Sequence, residues 1–262
     1  MVRLREQYKK LARPQTVVSL FVVAVMIGGW FWSPQIIRPS RAADVPIITP
    51  LAQHVQSVTF NVPVDCSKVP CLALTFDDGP SPAITPQVLD ILDKHNVKVT
   101  FFLIGLHVAD NPALVREIHV RGHEIGNHSW SHRKFSELSP NQIEKDIAKA
   151  QYAITSAGAP APRLFRAPYG DVNAMVRSHV SMTVVSWNVD PEDWRDRKAD
   201  KVVEHVLSTA KPGAIIDLHD IYQSTADALD PMLTELEKTY QLVTVSELLS
   251  LPSGQPGIFY GR

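Results

Sequence analysis

The chain has 262 residues, 45% of them hydrophobic, which suits one α/β domain with a full core and leaves little room for a second large domain. Residues 1–42 hold seven Lys or Arg and one Glu, so the remaining body has 19 basic and 26 acidic residues and a net charge of −7. This acidic body argues against a nucleic-acid partner, because such binding depends largely on neutralising phosphates.

The first predicted element is a membrane segment over residues 16–32. A basic tail, residues 1–15, precedes these 17 residues without a charge, and Trp30 and Trp32 stand at the outer end. As a helix the segment would span about 25 Å, slightly less than a hydrocarbon core of roughly 30 Å, yet it exceeds the usual h-region of a secretory signal. We favour an uncleaved anchor in the cell membrane with the body outside; the alternative is secretion after cleavage behind Ser40-Arg41-Ala42.

Residues 33–69 are rich in proline and short polar runs, and we interpret them as a linker or stalk. Cys66 and Cys71, the only cysteines, lie where this stalk meets the first predicted strand. In an exported protein, two thiols at this spacing favour a small disulfide loop over a metal site. A free buried pair is the alternative.

From residue 70 to residue 250, short β-rich runs alternate with amphipathic helical patterns, which is typical of parallel strands joined by crossover helices. Thr85-Pro86 and Ser139-Pro140 each place a capping hydroxyl before a proline and predict helix starts. The pattern predicts a closed or partly closed (β/α) barrel, with a doubly wound open sheet as the alternative. Residues 251–262 form a tail without recognisable chemistry. The predicted strands cover residues 72–76, 99–104, 124–127, 164–166, 182–187, 214–218 and 241–243.

Chemically useful side chains stand at or just beyond the carboxyl ends of five predicted strands. They are Asp77, Asn127, Arg166, Trp187 and His219. Because functional sites in parallel α/β folds form at these ends, we expect these side chains to lie near one another.

Asp77 and Asp78 are adjacent carboxylates, and the following Gly79-Pro80 supplies a turn that lets both face one site. His128 and His132 are four residues apart, a spacing that puts two imidazoles on one face of a helical turn. Asp78, His128 and His132 would be three metal ligands with a position left open for water, which is the mark of a catalytic site. Asp77 is then free to act as a base.

Three later motifs complete the pattern. Arg166-Ala167-Pro168-Tyr169-Gly170 ends a strand with a stiff turn, and Asp190-Pro191-Glu192-Asp193-Trp194 opens a charged loop. Ile215-Ile216-Asp217-Leu218-His219-Asp220 ends a buried strand with a histidine where a general acid could stand. Over roughly residues 70–250 the chain resembles the polysaccharide deacetylases of carbohydrate esterase family 4, the nodulation-type deacetylase domain.

This resemblance implies a distorted (β/α) barrel of about seven parallel strands that depends on one divalent ion, zinc above all, or another such as cobalt. It implies that Asp78, His128 and His132 bind the metal and that Asp77 is the catalytic base. The other implied roles are orientation of Asp77 by Arg166, an oxyanion contact from the Tyr169 N–H, proton donation by His219, support of His219 by Asp193, and substrate contacts by Pro168, Trp194 and Leu218.

One position departs from the family pattern. The family usually has a leucine two places before the final histidine, where it lines the pocket for the acetyl methyl group, and this chain has Asp217 there. An unpaired carboxylate buried against a methyl group is unfavourable. Either Asp217 points elsewhere and Leu218 or Ile216 fills the pocket, or the substrate preference is altered.

The motifs and the resemblance together predict hydrolysis of the N-acetyl group of N-acetylglucosamine units in peptidoglycan or a related extracellular glycan, with release of acetate. The expected partners are this glycan and, through the N-terminal helix, the membrane; no obligate protein partner is indicated. An O-acetyl esterase acting on xylan or a chitin-oligomer deacetylase could use the same residues. A non-catalytic glycan-binding module would have no use for a base, three metal ligands and an acid together.

Overall fold

The computed structural model describes residues 64–250 and 257–262. The predicted basic tail, the membrane segment at residues 16–32 and most of the stalk lie outside these ranges. None of the helices in the described ranges has the length and apolar character needed to cross a bilayer. The last residues of the predicted stalk are described, and Val64 and Cys66 pack against buried residues of the domain.

In the described part of the chain, eight strands form one sheet with the order β6-β1-β2-β3-β4-β5-β8, and β7 also pairs with β1. All of these pairs are parallel. The seven predicted strands are present, and β8 lies in the predicted tail. The strands are β1 (Cys71–Asp77), β2 (Thr100–Leu103), β3 (Glu124–Asn127), β4 (Leu164–Phe165), β5 (Thr183–Val185), β6 (Ile215–His219), β7 (Gln241–Leu242) and β8 (Ile258–Phe259).

Helices connect the successive strands. The predicted start at Ser139 is confirmed, because Ser139 and Gln142 form a capping box at the beginning of α4. Thr85 does not cap its helix: its hydroxyl accepts from the Ser81 N–H at 2.7 Å and donates to the buried Asp220 carboxylate. The helices of the described residues are α1 (Thr85–Lys94), α2 (Gly105–Asp110), α3 (Pro112–Val120), α4 (Pro140–Ser156), α5 (Ala174–Ser178), α6 (Asp193–Asp196), α7 (Ala199–Thr209), α8 (Gln223–Leu236) and α9 (Val245–Leu249).

The sheet curls until its two sides approach each other. A parallel bridge joins Val189, just after β5, to Ile216 in β6, and the Val189 carbonyl accepts from the Asp217 N–H at 2.9 Å. The fold is therefore a curled parallel (β/α) half-barrel, in agreement with the predicted barrel rather than with a flat open sheet. Along β1, Leu74 and Phe76 pack in the core that contains the helix side chains, so the intervening residues face the inside of the curl.

Cys66 and Cys71 are paired in the structure, with their Cα atoms 5.5 Å apart. A cross-link over so short a loop restricts the unfolded chain modestly, so we expect reduction to lower the free energy of unfolding by about 2 kcal/mol. Urea unfolding with and without a thiol reductant measures this difference. Cys66→Ser is the control, because its stability should not respond to the reductant. An unchanged wild-type midpoint with both thiols demonstrably free would contradict the expectation.

Candidate active site

One cavity of about 420 Å³ opens at the carboxyl ends of the strands. It forms there because the strands are parallel, so the residues that end them reach the same rim. Asn127 and Arg166 were expected with them but are buried and do not line the cavity: Arg166 Nη1 donates to Asp77, whereas Asn127 Nδ2 donates to the Ile147 carbonyl of α4. The lining residues are Asp77, Asp78, His128, His132, Tyr169, Trp187, Asp190, Trp194, Asp217, His219 and Tyr222.

Asp78, His128 and His132 form a compact group of potential metal ligands, with one donor atom of each within 4.8 Å of the others. Asp78 Oδ1 lies 3.2 Å from His132 Nε2 and 3.5 Å from His128 Nε2. Burial alone would raise the pKa of Asp78, but the adjacent His128 and the charges of the neighbouring histidines outweigh burial and lower this pKa to about 2. At neutral pH Asp78 is therefore an anion, as a metal ligand must be.

The donor set fits a divalent cation. Asp78 Oδ1 is buried and makes no well-formed hydrogen bond within the described residues. His128 Nδ1 lies 2.8 Å from the Arg166 carbonyl oxygen, and because a carbonyl only accepts, Nδ1 carries the hydrogen, so in the neutral ring Nε2 is the nitrogen with a free lone pair. Metal-binding histidines are typically oriented in this way by an acceptor on the other ring nitrogen. One carboxylate oxygen and two imidazole nitrogens suit zinc or a similar ion.

The two histidines are carried by a loop after β3, not by the predicted helical turn. Ser129 and His132 have positive φ angles of 70° and 55°, which an α-helix does not allow. Asn127 Oδ1 accepts from the Ser129 N–H at 2.9 Å, and Ser129 Oγ accepts from the His132 N–H at 2.9 Å. These local bonds between side chains and backbone compete successfully with helix formation and fix the loop.

Asp77 lies beside the potential ligands and is held by Arg166. Asp77 Oδ2 is 3.6 Å from His128 Nε2, while Oδ1 accepts from Arg166 Nη1 at 2.7 Å. The same Nη1 lies 2.8 Å from Thr75 Oγ1 and 2.6 Å from Asp217 Oδ1. Because Arg166 is completely buried, this network gives Asp77 one orientation, with Oδ2 directed to the potential ligands.

His219 lines the same cavity and is held by Asp193. His219 Nδ1 is 2.8 Å from Asp193 Oδ1, and Asp193 Oδ2 accepts from the His219 N–H at 2.8 Å and from Thr225 Oγ1 at 2.6 Å. Burial lowers the pKa of His219, but the hydrogen bond to Asp193 and the negative charges of Asp217, Asp193 and Asp77 raise it, with a net result of about 10. His219 is thus an imidazolium at neutral pH and can give up a proton from Nε2.

Asp217 points into the cavity, and Leu218 does not. Side chains alternate along β6, so Asp217 and His219 face the cavity, whereas Ile216 and Leu218 are buried in the core shared with the helices. This arrangement corrects the expected substrate contact of Leu218, and it removes the alternative in which Asp217 points elsewhere. Burial and the negative charge of Asp77 raise the pKa of Asp217 well above its ordinary value.

The turn after β4 carries the expected oxyanion residue. Tyr169 lies in the 3-10 turn Pro168–Gly170 with φ of 62°, and its ring packs edge-on against His132 with centroids 4.6 Å apart. Pro168 is buried and does not line the cavity, so its place is in the turn and not at the substrate surface. Trp194 lines the cavity and is 45% exposed.

Trp187, expected near the site because it ends a predicted strand, lines the cavity. Two other lining residues were assigned no role from the sequence. Asp190 begins the charged-loop motif, which was a usable signal, while Tyr222 has no local signal. His107 is expected to be a solvated surface group on sequence grounds, and that expectation is wrong. Its Nδ1 is 2.7 Å from the Asp78 backbone oxygen, so it helps to hold the turn that bears a potential ligand.

Comparison with known proteins gives one consistent result. The family model described as polysaccharide deacetylase matches residues 65–184. A peptidoglycan-N-acetylglucosamine deacetylase of Bacillus cereus is 40% identical over 201 residues, which cover 73% of this chain and 92% of that protein. A solved structure of the peptidoglycan deacetylase PdaC from Bacillus subtilis superposes with a TM-score of 0.69 at 43% identity, covering 71% of this chain and 93% of the other.

A longer relative shows the same similarity over part of its length. The peptidoglycan-N-acetylglucosamine deacetylase PgdA of Listeria monocytogenes is 44% identical over 178 residues, which cover 68% of this chain. The match spans only 38% of the length of that protein.

Proposed function

The chain belongs to the polysaccharide deacetylase family, and from this premise we propose that it hydrolyses the N-acetyl group of N-acetylglucosamine residues in peptidoglycan or a related extracellular polysaccharide. The observation that carries the proposal is that one cavity brings together Asp78, His128 and His132, a carboxylate held by Arg166, Asp77, and a histidine held by Asp193, His219. A base, an acid and a set of metal ligands are what amide hydrolysis requires. A module that only binds glycans requires none of them.

Asp78, His128 and His132 would hold the cation, which we assign as zinc because of the mixed oxygen and nitrogen ligands, with cobalt as the alternative. When bound, such an ion polarises the acetyl carbonyl and makes a water molecule more acidic.

The remaining steps fall to the residues of the chain. Asp77 Oδ2 accepts the proton of the attacking water, while Arg166 keeps the carboxylate in position. The Tyr169 N–H donates a hydrogen bond to the developing oxyanion. His219 Nε2 then gives a proton to the leaving nitrogen as the C–N bond breaks, and Asp193 holds the imidazolium in place. The products are acetate and a free amino sugar.

We assign the sugar contacts to exposed aromatic side chains at the cavity rim. Trp194 is 45% exposed and Tyr169 is 64% exposed, so both can lie against a glycan ring. Tyr222, whose ring centroid is 5.9 Å from that of His219, would contact the same sugar from the side of the acid.

The proposed substrate follows from the proposed location. We propose that residues 16–32 anchor the chain in the cell membrane and that the stalk, residues 33–69, holds the catalytic domain, residues 70–250, outside against the wall. Peptidoglycan is then the accessible N-acetylated glycan, and chitin-like oligomers come second. The names of the Bacillus cereus and Listeria monocytogenes relatives support this choice.

Incubating the purified protein with peptidoglycan fragments, chitin oligomers and acetylxylan tests the proposal. Mass spectrometry of the glycans should show loss of acetyl groups from amino sugars, and a chelator should stop that loss. Release from acetylxylan alone would identify an O-acetyl esterase instead. Binding of the glycans with no acetate released under any metal condition would favour the glycan-binding module.

Asp193→Asn is expected to change the pH dependence of the reaction. His219 must be protonated to act as the acid, and its hydrogen bond to the Asp193 carboxylate is the largest influence that raises its pKa. Removing this charge lowers that pKa, so the alkaline limb of the kcat/KM profile should move down by about 1 to 3 pH units. Profiles of wild type and variant on the same oligomer measure the shift. Coincident alkaline limbs would exclude Asp193 as the group that tunes the acid.

A further inference from the structure

Asp217 forms the floor of the cavity directly below the reacting residues. In the parallel pairing of β1 and β6, Asp77 lies opposite His219 and Thr75 lies opposite Asp217. Asp217 is therefore two residues deeper along the strands than the base and the acid, a depth of about 7 Å. Only 3% of Asp217 remains exposed, and the residue lines the cavity. An acyl group whose carbonyl lies between Asp77 and His219 would direct its terminal carbon at this floor.

The carboxyl group of Asp217 is only partly satisfied by its surroundings. Its Oδ1 accepts from Arg166 Nη1 at 2.6 Å, and the same nitrogen also serves Asp77 Oδ1 at 2.7 Å and Thr75 Oγ1 at 2.8 Å. One nitrogen shared among three acceptors leaves acceptor capacity on the Asp217 carboxyl, because both its ionised and its protonated form have further lone pairs. The floor of the cavity therefore favours an incoming hydrogen-bond donor.

A methyl group cannot form a hydrogen bond with the Asp217 carboxyl at the floor of the cavity. Burying it against a carboxyl would remove water from the polar oxygens and return no hydrogen bond. A hydroxymethyl group can donate to the carboxyl, and it needs only one heavy atom more than a methyl group. Aspartate and the leucine that usually stands at this position branch in the same way, but two carboxyl oxygens occupy less volume than two methyl groups, which leaves more room for that atom.

Building on the proposed deacetylase function, we propose that Asp217 is a specificity-determining residue that makes this chain prefer N-glycolyl (2-hydroxyacetyl) amino sugars to N-acetyl amino sugars. The reaction is the same hydrolysis. Water adds to the glycolyl carbonyl carbon, the C–N bond breaks, the nitrogen receives a proton, and glycolate and a free amine leave. No oxidant or further co-reactant takes part. The glycolyl hydroxyl donates to Asp217 throughout and does not react.

Matched glucosamine tetramers that differ only in N-glycolyl or N-acetyl substitution test this preference. We expect wild-type kcat/KM to be at least about tenfold higher for the glycolyl tetramer, because a site built to bond a hydroxyl discriminates strongly against the analogue that lacks it. Asp217→Leu should reverse the order, and Asp217→Asn, which keeps an acceptor of the same size, should retain it. A wild-type ratio near one, or a ratio unchanged in Asp217→Leu, would overturn the proposal.

A binding measurement separates this inference from the proposed function. Calorimetric titration of the two tetramers into Asp77→Asn protein, with and without Asp217→Leu, reports the preference without turnover. If the wild type hydrolyses neither tetramer, the deacetylase proposal is wrong. If the Asp77→Asn protein binds the two tetramers with equal affinity, the proposed role of Asp217 is wrong. If Asp217→Leu does not fold, Asp217→Ala also removes the acceptor without overpacking the floor, and it must abolish the preference.

Discussion

Replacing Asp77 with asparagine is expected to lower kcat/KM for deacetylation by about 10³- to 10⁴-fold, because the variant has no group that can take the proton of the attacking water. The substitution is nearly isosteric, and the new amide oxygen could still accept from Arg166 Nη1, which lies 2.7 Å from Asp77 Oδ1 in the wild type. Asp78, His128 and His132 are unchanged. Bound zinc measured by elemental mass spectrometry should therefore stay near the wild-type amount while acetate release falls.

Asp217→Asn is the matched control for this experiment. Asp217 bonds to the same Arg166 Nη1 at 2.6 Å, so each substitution replaces one carboxyl partner of the same guanidinium with an amide. Only the loss of Asp77 should remove the base. Wild-type rates in Asp77→Asn, or equal losses in the two variants, would contradict the assignment of Asp77 and point instead to a general effect of changing the partners of Arg166.

Replacing His128 with alanine is expected to abolish both metal binding and turnover. His128 is buried, and its Nε2 lies 3.5 Å from Asp78 Oδ1, so alanine removes one of the three potential ligands. The loss of zinc affinity should exceed the roughly 10- to 100-fold that removal of an outer hydrogen-bond partner costs. Zinc titration into the stripped variant, followed by calorimetry, measures this loss.

His107→Ala supplies a graded comparison. The His107 imidazole bonds to the backbone oxygen of Asp78, at 2.7 Å, and would act on the metal indirectly by holding the turn. Its removal should weaken zinc binding less than the removal of His128 does. A His128→Ala protein that binds one zinc with wild-type affinity would show that the Asp78 cluster is not the metal site.

The sequence alone determined a large part of this fold because burial is periodic along it. Apolar runs bounded by turn residues marked seven strands, and each of them is found within two residues of its expected bounds. β8 was not predicted because a strand of two residues in a segment rich in glycine and proline is too short to show an alternating hydrophobic pattern. Its pairing with β5 depends on the curl of the whole sheet, which no local pattern contains.

Residue chemistry determined the members of the candidate site, and tertiary structure determined how they are used. Asp77, Asp78 and the two histidines could be selected because few functions need these residue types at the ends of strands. The loop conformation that carries His128 and His132 could not be predicted from the sequence, because it depends on hydrogen bonds from the backbone to the side chains of Asn127 and Ser129.

Asp217 shows the division most clearly. The sequence shows that Asp217 replaces the usual leucine, but it does not show which way the Asp217 side chain points. Pairing of β6 with β1 sets its depth, and the buried Arg166, 51 residues away in the chain, makes its burial tolerable. The raised pKa of His219 likewise arises from carboxylates brought close by folding. The sequence by itself shows local periodicity and the reactive groups. The distances between charges that are remote in the chain are set only when strand pairing joins distant segments, and these distances determine the pKa values and hydrogen bonds of the site.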